Sequence, residues 1–282
     1  MGIYKGRIRR LISIIMKPEL RVLPGQLAFF LFLSLFPILS IMVYLSATFT
    51  VSTDVIVQFL ENNIPTDISS LLIPYLMGKS ISFGTAFSMI IGFLVASNGA
   101  HSIIIASNTL YKIDDSPYLQ RRIKSVIMTI ILIILFVILL GILAFGNSIL
   151  NFVFSLGLFE NIKGSISIVF YIVKWSLAIF AVLFLLKVLY TMAPDKKIKS
   201  KYMNKGAFFT AISFIIATTI YSFYVTNFSN YDLIYGGLSN IMMLVMFVYL
   251  LSYIFVIGIA INAGYYEWEM EKTGYNILDK KE

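Results

Sequence analysis

Residues Val126–Asn147 read VIMTIILIILFVILLGILAFGN and follow directly on Arg121, Arg122 and Lys124. The run carries no charge, and about 20 apolar residues suffice for a helix to cross a hydrocarbon core near 30 Å thick. Five further runs have the same character: Leu27–Thr50, Phe83–Ala106, Ile166–Leu189, Gly206–Thr226 and Ser239–Gly264. Inside hydrocarbon a backbone must satisfy its own hydrogen bonds, so each run reads as a helix. The expected fold class is therefore all-α, a polytopic membrane protein with six transmembrane helices.

Composition points the same way. Of 282 residues, 59% are hydrophobic and 13% charged, where a soluble domain carries about 25% charged residues. The mean hydropathy is +0.89. So few charges cannot cover a water-facing surface, and little sequence remains outside the runs. A single integral membrane domain over 1–282 follows: a basic amphipathic segment (1–26), a bundle (27–264) with an extracytoplasmic loop (51–82), and a tail (265–282). The first run is longer than a signal-peptide core and follows a long basic segment, so it reads as a span and not as a cleaved leader. With no cysteine in the chain, disulfides and thiolate chemistry are excluded.

The cations set an orientation. Eighteen of the 22 Lys and Arg fall in the N-terminal segment, in the loops between spans two and three and between spans four and five, and in the tail. The opposite loops hold Lys79 and Lys163, while Lys174 and Lys187 lie inside span four. By the positive-inside rule, both ends are cytoplasmic. The net charge of +8 then implies membrane lipids as partners, with anionic headgroups on the cytoplasmic side. The basic residues are scattered over four segments without a nucleic-acid-binding signature, so no nucleic-acid partner is expected.

Between the spans lie amphipathic pieces. Ile8, Leu11, Ile12 and Ile15 form one stripe with Lys5, Arg9 and Arg10 off it, as in a basic helix lying on a membrane surface. Pro18 and Pro24–Gly25 are expected to break this helix and turn the chain into the membrane. In the 51–82 loop, Ile56, Phe59, Leu60 and Ile64 make a second stripe, and Ile68, Leu71, Leu72 and Tyr75 a third. These read as two short interfacial helices, either a lid over a cavity or simple packing.

Catalytic constellations are sparse. His101 is the one histidine, and the carboxylates are dispersed, so no catalytic residue, metal site or cofactor site is assigned. Asp114–Asp115 before Pro117 reads as a turn, and Glu267, Glu269 and Glu271 as a solvated face. No phosphate-binding loop of Walker type appears, which argues against ATP-driven transport within this chain. Polar groups inside the spans point further, because each needs a partner there. Span two is the most polar: Ser97 and His101 share a face, with Asn98 and Asn108 nearby, serving helix packing or a substrate path. Lys174 either pairs with an acid such as Asp232, Glu61 or Asp54, or snorkels to the headgroups. Pro37 should kink span one. The candidate cavity or helix-packing residues are Pro37, Asn98, His101, Asn108, Lys174, Asn227, Tyr231, Tyr235, Gly236 and Asn262.

Four strings carry a resemblance. They are Leu27-Ala-Phe-Phe-Leu-Phe-Leu-Ser-Leu-Phe-Pro37, Ser107-Asn-Thr-Leu-Tyr111, Asn227-Phe-Ser-Asn-Tyr231 with Tyr235-Gly-Gly-Leu238, and Gly258-Ile-Ala-Ile-Asn-Ala263. In this order they resemble the YihY/BrkB family, once labelled ribonuclease BN. Two positions depart from the family pattern: Ala260 stands where an acidic residue is usual, and Gly237-Leu238-Ser239 replaces Ser-Leu-Gly. The resemblance implies a bacterial cytoplasmic-membrane protein tied to envelope integrity. Together with the residues, it suggests a non-enzymatic protein that transports or handles a lipid or amphipathic envelope component without ATP; the alternatives are a structural scaffold and, more distantly, a membrane-associated ribonuclease.

Overall fold

The computed structural model describes residues 19–48, 83–155, 163–228 and 238–272, together with Val57, Glu61 and Ser69. All regular structure among these residues is helical. The long helices are α1 (Glu19–Thr48), α2 (Phe83–Tyr111), α3 (Tyr118–Ser155), α4 (Lys163–Met192), α5 (Asn204–Phe228) and α6 (Ser239–Lys272), with a 3-10 turn at Ser200–Met203. Each expected run has its helix. Four described stretches are long and apolar enough to cross a membrane: Ile90–Tyr111, Ile168–Met192, Ser200–Asn227 and Ser239–Glu271. The helices overrun the apolar runs, most of all α3 and α6, because a helix continues past hydrocarbon wherever its flanking side chains are solvated.

One expectation fails at the start of α1. Pro24–Gly25 does not break the chain: α1 runs through both residues, and on through Pro37 to Thr48. Pro24 lies in the second turn, where its missing N–H costs one bond. Leu20, Leu23 and Leu27, spaced to fall on one face, are buried in the main core around it, and burial of about 1.5–3 kcal/mol per large side chain outweighs that loss.

Neighbouring helices pack in a ring, α1 on α2, α2 on α3, and so on until α6 closes against α1, with α2 and α6 also touching. The chain alternates direction, so the start of α1, the end of α2, the start of α3, the end of α4, the start of α5 and the end of α6 gather at one pole. The core sits there. Leu20, Leu110, Tyr111, Met128, Leu189, Ala193, Met203, Ala207, Ile259 and Ala263 belong to a single buried cluster. Towards this pole α6 is enclosed almost all round, with Ile254, Phe255, Val256, Ile259, Ala260, Asn262 and Ala263 buried.

The other half of α4 is the reverse. Tyr171, Ile172 and Val173 are consecutive and all exposed, and successive residues point about 100° apart. Ile168, Val169, Trp175, Leu177, Ile179 and Phe180 are exposed too, and only Ala178 in this stretch is buried. The residues withdrawn from the surface, half-buried Phe170 and Lys174 with buried Ala178, recur every four positions, so this stretch packs along one narrow face and exposes the rest of its girth. The described core is sealed at one pole, and away from it α4 keeps only this narrow face against its neighbours.

Candidate functional site: a polar clasp at the sealed pole

α2 ends in a Schellman motif. Ile113 N–H reaches Asn108 C=O at 2.9 Å and Lys112 N–H reaches Thr109 C=O at 3.3 Å, with Lys112 in the left-handed region at φ 54°. This is the usual place of a glycine, so the sequence gives no hint of the stop. The motif turns residues 113–117 back along α2 and places Asp115 and Ser116 beside Asn108.

Asn108, 2% exposed, ties three segments together. Its Nδ2 donates to Asp115 Oδ1 at 2.9 Å and to Asp195 Oδ2 at 2.8 Å, while its Oδ1 accepts from Asp195 N–H at 2.9 Å. Ser116 N–H also donates to Asp195 Oδ2, at 3.1 Å. Lys124, from α3, donates to the carbonyls of Ala193 and Pro194 at 2.9 and 2.7 Å and to Asp195 Oδ1 at 2.8 Å. Arg121 closes the set against Asp115 at 2.7 Å. Burial alone would raise the Asp195 carboxyl; hydrogen bonds from Lys124, Asn108 and Ser116 N–H, with the Lys124 charge, hold it below the ordinary carboxylate value. The chain turns at Lys112 and not at Asp114–Asp115, which lie in the irregular segment that follows, and Asp115 from that segment joins the lock between α2, α3 and α4.

A second contact runs up α2. Arg122 Nη1 donates to Asn98 Oδ1 at 2.6 Å and Nη2 to Leu94 C=O at 2.9 Å. His101 is half-buried, with its ring edge-on to Tyr118 at 6.0 Å and Nδ1 without a hydrogen-bond partner among the described residues. The polar residues of α2 divide by chemistry. The two asparagines reach other segments, whereas Ser97 bonds back to Leu94 C=O at 2.7 Å, and the buried Ser102 and Ser107 hydroxyls have no partner among the described residues. The serines act as small residues that let helices approach.

Asn262 lies elsewhere, at the contact of α5 and α6. It is fully buried, and its Oδ1 accepts from Gly206 N–H at 2.7 Å. A β-carbon on Gly206 would strike Gly258 C=O and the Asn262 amide; one on Gly258 would strike Thr210 Oγ1 and Tyr190 OH. Tyr190 is buried here, its OH 2.7 Å from Thr210 Oγ1 and donating to Phe255 C=O at 3.0 Å. Small residues at 206 and 258 thus let three helices meet around one tyrosine, which the sequence did not single out.

The remaining candidates do not converge on this site. Lys174 is half-buried on the open part of α4. Asn227 bonds to Phe223 C=O of its own helix at 2.8 Å. Tyr231, Tyr235 and Gly236 lie outside the described residues, as do Asp54, Asp232 and the apolar stripe of 8–15 with its flanking basic residues; Pro37 is within α1. Glu267 is drawn into an ion pair with Lys112 at 3.0 Å and is less solvated than expected. The candidates therefore divide between the clasp, the α5–α6 contact and the open side of α4. The sequence missed Asp195, Lys124 and Asp115 as partners of Asn108; a buried asparagine near a helix end was the available signal.

The order of these motifs along the chain has its counterpart in known proteins. A family model described as virulence factor BrkB matches residues 13–278. The chain belongs to this family. Among BrkB relatives, the putative ribonuclease-like protein YfkH of Bacillus subtilis (strain 168) is 30% identical over 253 residues, covering 85% of this chain and 87% of its own. A UPF0761 membrane protein of Vibrio atlanticus (strain LGP32) is 27% identical, covering 93% and 82%. Another, VV1_0885 of Vibrio vulnificus (strain CMCP6), is 26% identical, covering 96% and 86%. No solved structure matches. The BrkB membership and the apolar helices together make the chain a multi-pass membrane protein.

Proposed function

We propose that this BrkB protein crosses a bacterial cytoplasmic membrane six times, with both ends in the cytoplasm, and gives a lipid or amphipathic envelope component a passive path along α4. The sidedness is supported by charge: the sealed pole carries Lys112, Arg121, Arg122, Lys124, Lys196, Lys197, Lys199, Lys201 and Lys205. The path rests on one observation, the exposure of most of the girth of α4 between residues 168 and 180, all but the narrow face of Phe170, Lys174 and Ala178. An amphipathic molecule could lie there with tails against Ile172, Val173 and Phe180 and a polar group near Lys174. The clasp of Asn108, Asp195 and Lys124 would be the closed end of that path.

The test is reconstitution in liposomes followed by bilayer exchange of fluorescent phospholipids. Faster exchange than in protein-free vesicles is expected; unchanged exchange of every envelope lipid tried, with folded protein, sinks the reading. A structural scaffold is the second reading, supported by the pairing of Asn108 and Asn262 with neighbouring segments and not with open space. The ribonuclease-like name belongs to the Bacillus relative. Metal-dependent RNA cleavage that persists through purification would bring a nuclease forward.

A further inference from the structure

Beside the clasp is an open cleft of about 460 Å³ between the start of α3 and the connection that follows α4. We propose that it binds a phosphate-bearing anion, carried by the headgroup of an anionic lipid. Lys196, Lys197 and Gln120 are exposed and line the cleft, with Ser116 beside them; Met192 and Ile198 give it an apolar wall. Asp195 does not cancel the two lysines, because its carboxylate is turned into the clasp and held by Lys124, Asn108 and Ser116 N–H. Lys124 in turn spends its donors on Asp195 and two carbonyls. The unspent charge of the cleft is that of Lys196 and Lys197.

The apolar surroundings favour a lipid over a soluble anion. Leu119, Ile123, Ile127, Ile130 and Ile134 are exposed and lie on one flank of α3, with Gln120 and Lys124 on the adjoining flank at about 100° per residue. A phosphate held between Lys196 and Lys197 would have its acyl chains beside this stripe. The inference does not depend on a path along α4, since the cleft is at the opposite pole and serves equally for an anchored scaffold.

The test uses the full chain in detergent micelles, titrated separately with dihexanoyl phosphatidylglycerol, dihexanoyl phosphatidylcholine and inorganic phosphate. Binding is read by native mass spectrometry and by protection of Lys196 and Lys197 from an amine-acylating reagent. The glycerol lipid should bind and protect both lysines, and the Lys196→Gln/Lys197→Gln pair should weaken it on the order of tenfold. The Lys199→Gln/Lys201→Gln pair, which removes equal charge nearby, should leave binding unchanged. Protection by inorganic phosphate at similar concentration would keep the phosphate site and make the free anion its source. Absence of protection by either anion, equal binding of the choline lipid, or equal weakening by both lysine pairs would overturn the proposal. All four lysines vary at the surface, and matching melting temperatures would show that the variants fold.

Discussion

Asn108 holds Asp195 by both ends of its amide: Oδ1 accepts from Asp195 N–H at 2.9 Å, and Nδ2 donates to Asp195 Oδ2 at 2.8 Å. These residues lie 87 positions apart, so the pair staples the end of α2 to the end of α4. No other side chain of this length supplies both a donor and an acceptor. Asn108→Leu should leave a buried N–H and carboxylate short of partners and lower stability by about 2–4 kcal/mol. Asn108→Asp should do at least as much damage, because it sets a third carboxylate against Asp115 and Asp195. Thermal unfolding in detergent measures both, and a loss below about 0.5 kcal/mol for either would show that the clasp contributes little.

The acid limb of the stability profile follows from Asp195. Its carboxyl is held below the ordinary value near about 4. A group depressed in the folded state contributes fully above its unfolded value, and that contribution disappears as pH falls through the lower folded value. The protein should thus lose stability below about pH 4, and Asp195→Asn should flatten that limb while lowering stability at neutral pH. Lys124→Met should cost about 1–3 kcal/mol at pH 7, because it removes the cation and one donor from a buried carboxylate that keeps its bonds from Asn108 and Ser116 N–H. Identical acid limbs for the wild type and Asp195→Asn would remove Asp195 from the account.

How much of this was readable beforehand differs by level. Apolar runs such as Val126–Asn147 place the helices directly, because hydrocarbon leaves the backbone no alternative. Boundaries were less legible: the helix through Pro24–Gly25 depends on the burial of Leu20, Leu23 and Leu27, a tertiary effect that local breaker rules do not contain. Site residues were legible one by one and not as pairs. Asn108, just past the end of an apolar run, and Asn262, within one, stood out as polar groups, but their partners, Asp195 and Gly206 N–H, come from distant segments. Asp195 and Lys124 looked like ordinary loop charges until the αL turn at Lys112 brought the connections together.

Tyr190 should show coupling with Gly258. Gly258→Ala puts a methyl into Tyr190 OH and Thr210 Oγ1, within a core that yields little; overpacking of this kind costs about 1–3 kcal/mol. Tyr190→Phe alone should cost about 1–2 kcal/mol for its hydrogen bonds. The double variant should be somewhat more stable than the sum of the two losses, because it removes one of the two oxygens that the methyl meets, Thr210 Oγ1 staying in place. Gly206→Ala has no such remedy, since it meets backbone at Gly258, and should be the worst of the set. Simple additivity in the cycle would mean that the hydroxyl and the glycine do not share space.

Trp175 can report what surrounds α4. It is 53% exposed on the open side of the bundle, and the chain has only two tryptophans. The other, Trp268, stacks on Tyr265 at 6.0 Å near the sealed pole. A Trp268→Phe variant in bilayers therefore leaves one emitter, on the exposed arc of α4. If lipid fills the space around α4, lipids brominated in mid-chain should quench most of the Trp175 emission, and aqueous iodide should quench little. Ile172→Trp and Val173→Trp, placed on successive directions of the helix in a background lacking both native tryptophans, should behave alike, because successive residues point about 100° apart. A path lined by water would invert the two quenchers at one of these positions. A second protein seated on α4 would protect one direction from both, and either pattern would replace the lipid-filled opening with a different one.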